Sequence, residues 1–119
     1  MAARVENRRL VTYGVNPQAE VKVIWLNAWF DPARERDAAL TLVGQGADVL
    51  TNHSGSPAVP QVAEEKGVLL LAYQSDMARF APRAQLAAVT HHWGGHYTRV
   101  AQSVLDGRWS NKPVWGGMA

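Results

Sequence analysis

Histidines, hydroxyls and carboxylates gather at a few places in this chain, and each gathering suggests a chemistry that its spacing can test. His92 and His96 stand four apart within THHWGGH, which on a helix brings two imidazoles to one face. A zinc site generally takes three or four protein ligands held by an outer sphere of hydrogen bonds. His91 points elsewhere, the chain has no cysteine, and His53 would have to arrive from another loop. No metal site is expected. Ser54, His53 and Asp76 have the composition of a catalytic triad, but adjacent Ser and His side chains do not easily form the required hydrogen bond. No G-x-S-x-G elbow is present either. No catalytic residue and no cofactor are assigned, and the chain is not expected to be an enzyme.

The remaining clusters suit binding. Asn27-Ala28-Trp29-Phe30-Asp31 sets two large aromatic rings side by side, and ring faces stack on planar ligands. The plainer reading is that one ring packs down on the core and only the other is exposed; both readings are expected to hold, with Trp29 exposed or lining a cleft. Thr51-Asn52-His53-Ser54-Gly55-Ser56-Pro57 is rich in side-chain donors and opens a helix, where free N–H groups attract acceptors. It lacks the lysine and the glycines of a phosphate loop, and turn chemistry with a helix cap is the competing reading. In Gln74-Ser75-Asp76-Met77, Gln74 lies nearest the end of an apolar run and is the ligand-facing candidate. Asp76 either accepts from a ligand or caps a short turn.

Four apolar runs lead into these clusters: VKVIWL, ADVL, VLLLAY and QLAAV. As strands of one parallel sheet they would share a C-terminal edge, where open α/β sheets bind ligands. Residues 21–26 are predicted as the first strand, apolar on both faces apart from Lys22. Asp31-Pro32 supplies an N-cap and a first-turn proline, and Gly44 and Gly46 close that helix. Residues 47–51 form the next strand. Ser56-Pro57 repeats the cap device, and Gly67 ends the following helix after Lys66. Residues 68–73 are the strongest strand, 74–84 a loop, and 85–89 an alanine-rich strand. Residues 94–106 form a helix whose stripe is Tyr97, Val100, Ala101, Val104 and Leu105. An N-terminal helix is expected over residues 1–13; the tail 108–119 has no period. Strand–helix alternation predicts an α/β three-layer sandwich with a mostly parallel sheet and right-handed crossovers, one lobe over residues 1–119.

Composition narrows the classes. At 119 residues with 47% hydrophobic residues the chain has the size and core of one domain. The net charge is +2 at pH 7, and Arg4, Arg8 and Arg9 are diluted by Glu6. Nucleic acid is not an expected partner. The N-terminus carries no apolar signal segment and no run reaches a membrane span, so the chain as given is expected to be soluble.

With these segments in view, the chain resembles the basic membrane lipoprotein family, substrate-binding components of ABC importers for purines and purine nucleosides. The likeness is carried by WFDPA, SPA, SDM-x-x-FAP and WGG-x-Y, and extends from about residue 8 onward. It implies a type I periplasmic binding protein fold, two α/β lobes joined by a hinge, of which this chain matches the second lobe only. A first lobe, a lipid-attachment segment and a return segment after Met118 would lie outside it. The resemblance further implies Trp29 as the base-stacking aromatic, with Gln74 where nucleoside-binding relatives carry a ribose-binding Asp. That amide shifts the expected ligand toward a free base such as adenine. His53, Asp76, His92 and Trp93 fall on loops facing the cleft, although His91-His92 departs from the Trp-Asn common there. An ABC permease partner and a periplasmic or cell-envelope location come with the family; without a signal segment the chain alone would stay cytoplasmic. The rivals are a self-associating remnant of the lobe and, less favoured, an α/β enzyme using His53 or His92 as general base.

Overall fold

The computed structural model describes residues 14–116, so the expected helix over residues 1–13 lies outside the described part of the chain. The first complete element among the described residues is helix α1, Pro32–Gly44. Asp31 caps it by accepting the Arg34 N–H, and Pro32 occupies the first turn, where a missing N–H removes no helical bond. Strand β1, Val49–Thr51, follows, then helix α2, Ala58–Lys66. Ser56 Oγ accepts the Ala58 N–H at 3.2 Å, and Gly67 ends α2 in the left-handed conformation (φ 68°), where a side chain would be strained. Strand β2, Leu69–Gln74, and strand β3, Gln85–Thr90, complete the sheet, ordered β1-β2-β3.

β1 and β2 pair in parallel, Val49 with Leu69, Leu50 with Leu70 and Thr51 with Leu71. A parallel pair needs a crossover between its strands, and α2 supplies it. The core lies on one side of this pair. Leu50, Leu70 and Ala72 point inward against Val59, Val62 and Ala63 of α2 and Ala39 of α1. On the other face Val49, Leu69 and Leu71 remain exposed, as strand alternation requires. The α/β class with parallel pairing is as the sequence implies.

Two ion pairs tie this body together from outside. Arg36 on α1 forms a two-pronged pair with Glu65 on α2, and Glu64 receives the Arg83 side chain and the backbone N–H groups of Arg83 and Ala84.

Two expectations fail. Residues 21–26 form no strand: the segment has no regular secondary structure, with Ile24 and Trp25 exposed. β-branched residues favour a pleated, half-buried surface; here Val21 and Val23 are half-buried while Lys22 and Ile24 face solvent, and the composition alone does not hold a strand. In addition, helix α3, Trp93–Leu105, keeps its expected span but buries none of its residues, so its apolar stripe forms no core. Residues 14–89 make one compact unit and 90–116 a second, which carries α3.

Candidate ligand-binding site

The site assembles where the first unit's chain leaves its parallel strands. After Leu26, Asn27 takes a left-handed backbone (φ 52°) and turns the chain toward Trp29 and Phe30. The Trp29 carbonyl accepts the Gly55 N–H at 2.9 Å, which pins this turn to the loop after β1. That loop carries His53, whose ring centroid is 6.0 Å from Trp29 and 4.4 Å from Tyr73. Tyr73 shares the face of Leu69 and Leu71 by strand alternation. Trp29, His53 and Tyr73 therefore form a row of rings along the C-terminal edge of β1 and β2.

Gln74 ends β2 with φ 74°, a left-handed conformation unusual for a residue with a side chain. Its Oε1 lies 3.8 Å from the place a β-carbon on Gly55 would occupy, with the Trp29 carbonyl oxygen at 3.6 Å and Phe30 Cδ2 at 3.8 Å from the same point. Three separate stretches of chain thus meet over one glycine. Trp29 and Phe30 are 67% and 65% exposed, so the expectation that one ring packs into the core is not met: Phe30 lies beside the Gly55 loop instead. The short link from Phe30 to the Asp31 cap leaves its ring outside the core beneath α1.

Other candidates have local roles. Asn52 donates to the Ser54 carbonyl at 2.9 Å, bracing the loop, and Ser54 is buried within it. Asp76 Oδ1 accepts from the Ala78 N–H at 2.9 Å and from the Gln85 side chain at 2.8 Å, so it caps the turn after β2. Those two hydrogen bonds, the backbone one foremost, hold its carboxyl below the usual aspartate range. In the second unit His92 precedes α3 and contacts Thr90 Oγ1 at 3.3 Å. Trp93 stacks on His91 at 5.6 Å and on Tyr97 at 5.9 Å, an aromatic cluster internal to that unit.

Two residues that matter escape the sequence reading. Glu35 is fully buried, accepting the Asp31 N–H at 3.0 Å through one oxygen and the Ser56 hydroxyl at 2.7 Å through the other. It joins the turn bearing Trp29 and Phe30 to the loop bearing His53. Its signal was its position four residues after the cap, close to capping-box spacing. Tyr73 was absorbed into its strand, although the last aromatic before a strand's C-terminal end belongs to the rim.

Among the described residues no group of three or more metal-ligating side chains forms, and no helix is long and apolar enough to cross a membrane.

Residues 12–119 match the family described as ABC transporter substrate-binding protein, PnrA-like (Bmp). Over 104 residues, 87% of the chain, the sequence is 49% identical to a purine-binding protein of Brucella abortus and covers 30% of that protein. It is 38% identical over the same share to a candidate ABC transporter glucose-binding protein of Haloferax volcanii, covering 27% of it. The chain spans less than a third of the length of these curated relatives. A stretch of 22 residues, 18% of the chain, is 91% identical to UDP-N-acetylmuramate–L-alanine ligase of Phenylobacterium zucineum and covers 5% of that enzyme.

Proposed function

As this chain belongs to the PnrA-like family of ABC transporter substrate-binding proteins, which bind solutes and are not enzymes, we propose that it is a purine-binding lobe of an importer's solute receptor. The ring row Trp29–His53–Tyr73, with Gln74 beside it at the edge of the parallel strands, is the observation that carries this reading. A planar heterocycle stacks on the exposed Trp29 indole, since ring faces are sequence-tolerant platforms for bases. Gln74 supplies donor and acceptor for the heterocycle's polar edge. The 49% identity to a purine-binding protein supports the same ligand class.

Within the first unit Asn52, Ser54 and Asp76 complete the proposed contacts, with Asp76 acting through its turn; His92 and Trp93 are proposed as ligand-facing residues of the second unit. A further lobe would close over the ligand, as hinge-bending receptors do, and an ABC permease would receive it in the periplasm or at the cell envelope. Adenine is the preferred ligand, because an amide at position 74 lacks the charge of a ribose-binding carboxylate.

Calorimetric titration of adenine, adenosine and glucose into the full chain tests the reading, with Trp emission as a second readout. Heat and a spectral change with adenine are expected. A response to glucose alone would move the ligand class to sugars, and no response to any of the three at millimolar concentration would overturn solute binding by this lobe.

A second reading, self-association, is favoured by exposed Val49, Leu69 and Leu71 on one sheet face. Sedimentation of a monomer across a wide concentration range would reject it.

A further inference from the structure

Gly55 sits where the three site-forming segments meet, yet the backbone there does not call for glycine. It is absent from the positive-φ residues, which among the described glycines are Gly46, Gly67 and Gly107. A β-carbon at this position would lie 3.6 to 3.8 Å from its nearest neighbours, ordinary van der Waals distances. Alanine would therefore fit without strain in the fold. What a methyl group would take up is the narrow gap bordered by the Trp29 carbonyl, Phe30 and the Gln74 side chain.

That space has a definite polarity. Among the described residues the Trp29 carbonyl oxygen accepts the Gly55 N–H, at 2.9 Å, and a carbonyl has a second lone pair. Being backbone, pinned by that bond, it cannot turn away to offer a donor. Gln74 Oε1 borders the same point. The fixed Trp29 carbonyl favours an N–H donor beside it and disfavours another carbonyl, and the Gln74 amide, oriented as here, adds a second acceptor.

Building on the purine reading above, we propose that Gly55 is a specificity-determining position whose missing side chain admits an exocyclic amino group of the ligand, held by the Trp29 carbonyl and Gln74 Oε1. The site then takes amino-purines such as adenine over hypoxanthine, which carries a carbonyl in place of the amine. A site built around one hydrogen-bonded group rejects the analogue lacking it because its own polar atoms go unpaired.

The test titrates adenine and hypoxanthine into the full chain and into Gly55→Ala, with thermal melts of both. The unaltered chain is expected to bind adenine roughly tenfold or more tightly than hypoxanthine. Gly55→Ala is expected to keep the melting temperature while losing most of the adenine affinity and the preference. Unchanged adenine affinity in Gly55→Ala, or equal affinity of the unaltered chain for both bases, would overturn this inference and leave purine binding standing. A markedly lowered melting temperature in Gly55→Ala would show the glycine to be structural and overturn it as well. Failure of the unaltered chain to bind either purine would overturn the purine reading itself, and this inference with it.

Discussion

The imidazole of His53 lies 4.4 Å from the ring of Tyr73 at an interplanar angle of 31°, a tilted aromatic pair bridging the ends of two parallel strands. The contact fixes the loop after β1 against the end of β2, and Trp29 completes the row at 6.0 Å from His53. Aromatic pairs contribute about 0.5–1.5 kcal/mol beyond buried area. The three rings thus brace one another across the two loops.

Trp29→Ala should weaken adenine binding by roughly tenfold or more, because base–aromatic stacking is worth about 1–3 kcal/mol. The indole is largely exposed, so urea unfolding should change little. Parallel calorimetry and denaturation separate the two effects, and a large loss of stability would show the ring to be a packing residue.

Glu35 and Ser56 are both fully buried and share a 2.7 Å hydrogen bond. Ser56→Ala leaves one carboxylate oxygen without its partner and should cost about 1–3 kcal/mol. A double-mutant cycle with Glu35→Gln, read by urea unfolding, should show coupling between the two positions. Strict additivity would mean the bond adds nothing.

Gln74 holds a left-handed backbone that costs a residue with a side chain on the order of 1 kcal/mol. Gln74→Gly should relieve this strain and leave stability equal or raised, while adenine affinity falls. A stability gain with unchanged binding would remove Gln74 from the site.

Leu70 is fully buried between the sheet and α2, and Leu70→Ala should destabilise by about 2–5 kcal/mol. Leu105→Ala, on the exposed stripe of α3, should stay within about 0.5 kcal/mol. Circular dichroism melts of the two variants provide the contrast.

Acid should loosen the first unit through its ion pairs. Hydrogen bonding to Arg83 and to Arg36 holds Glu64 and Glu65 below the ordinary glutamate value of 4.5. A carboxylate with a lowered folded-state value stabilises the fold above its unfolded value, and the contribution fades as pH falls through the folded one. Stability should therefore drop below about pH 4.5, and Glu64→Gln should shallow that slope in melts taken from neutral to acid pH. Both carboxylates are solvent-screened, so the effect is modest.

Local chemistry made much of this fold legible. Asp31-Pro32 marked the start of α1, Gly67 the end of α2, and the unbroken apolar run the strand β2. Residues 21–26 misled because β-branched composition states a preference, while a strand also needs covered faces. Glu35 was illegible because a glutamate in a first helical turn ordinarily faces water. Only the approach of Ser56, 21 residues away in sequence, gives this one a buried partner. Asp76 was legible as two alternatives, and the Ala78 and Gln85 hydrogen bonds show the turn cap.

What the residue order determined by itself was class and kind: alternating apolar runs and capped helices make an α/β lobe, and the WFDPA, SPA and SDM segments carry the family likeness. Such signals are short-ranged, set by backbone sterics, capping and periodicity within a few residues. Only the tertiary structure decided that Trp29, Phe30 and Gln74 meet over Gly55 and that the His53 ring contacts both Trp29 and Tyr73. The parallel register of β1 and β2 and the Trp29–Gly55 hydrogen bond bring those loops together, and both join residues far apart along the chain.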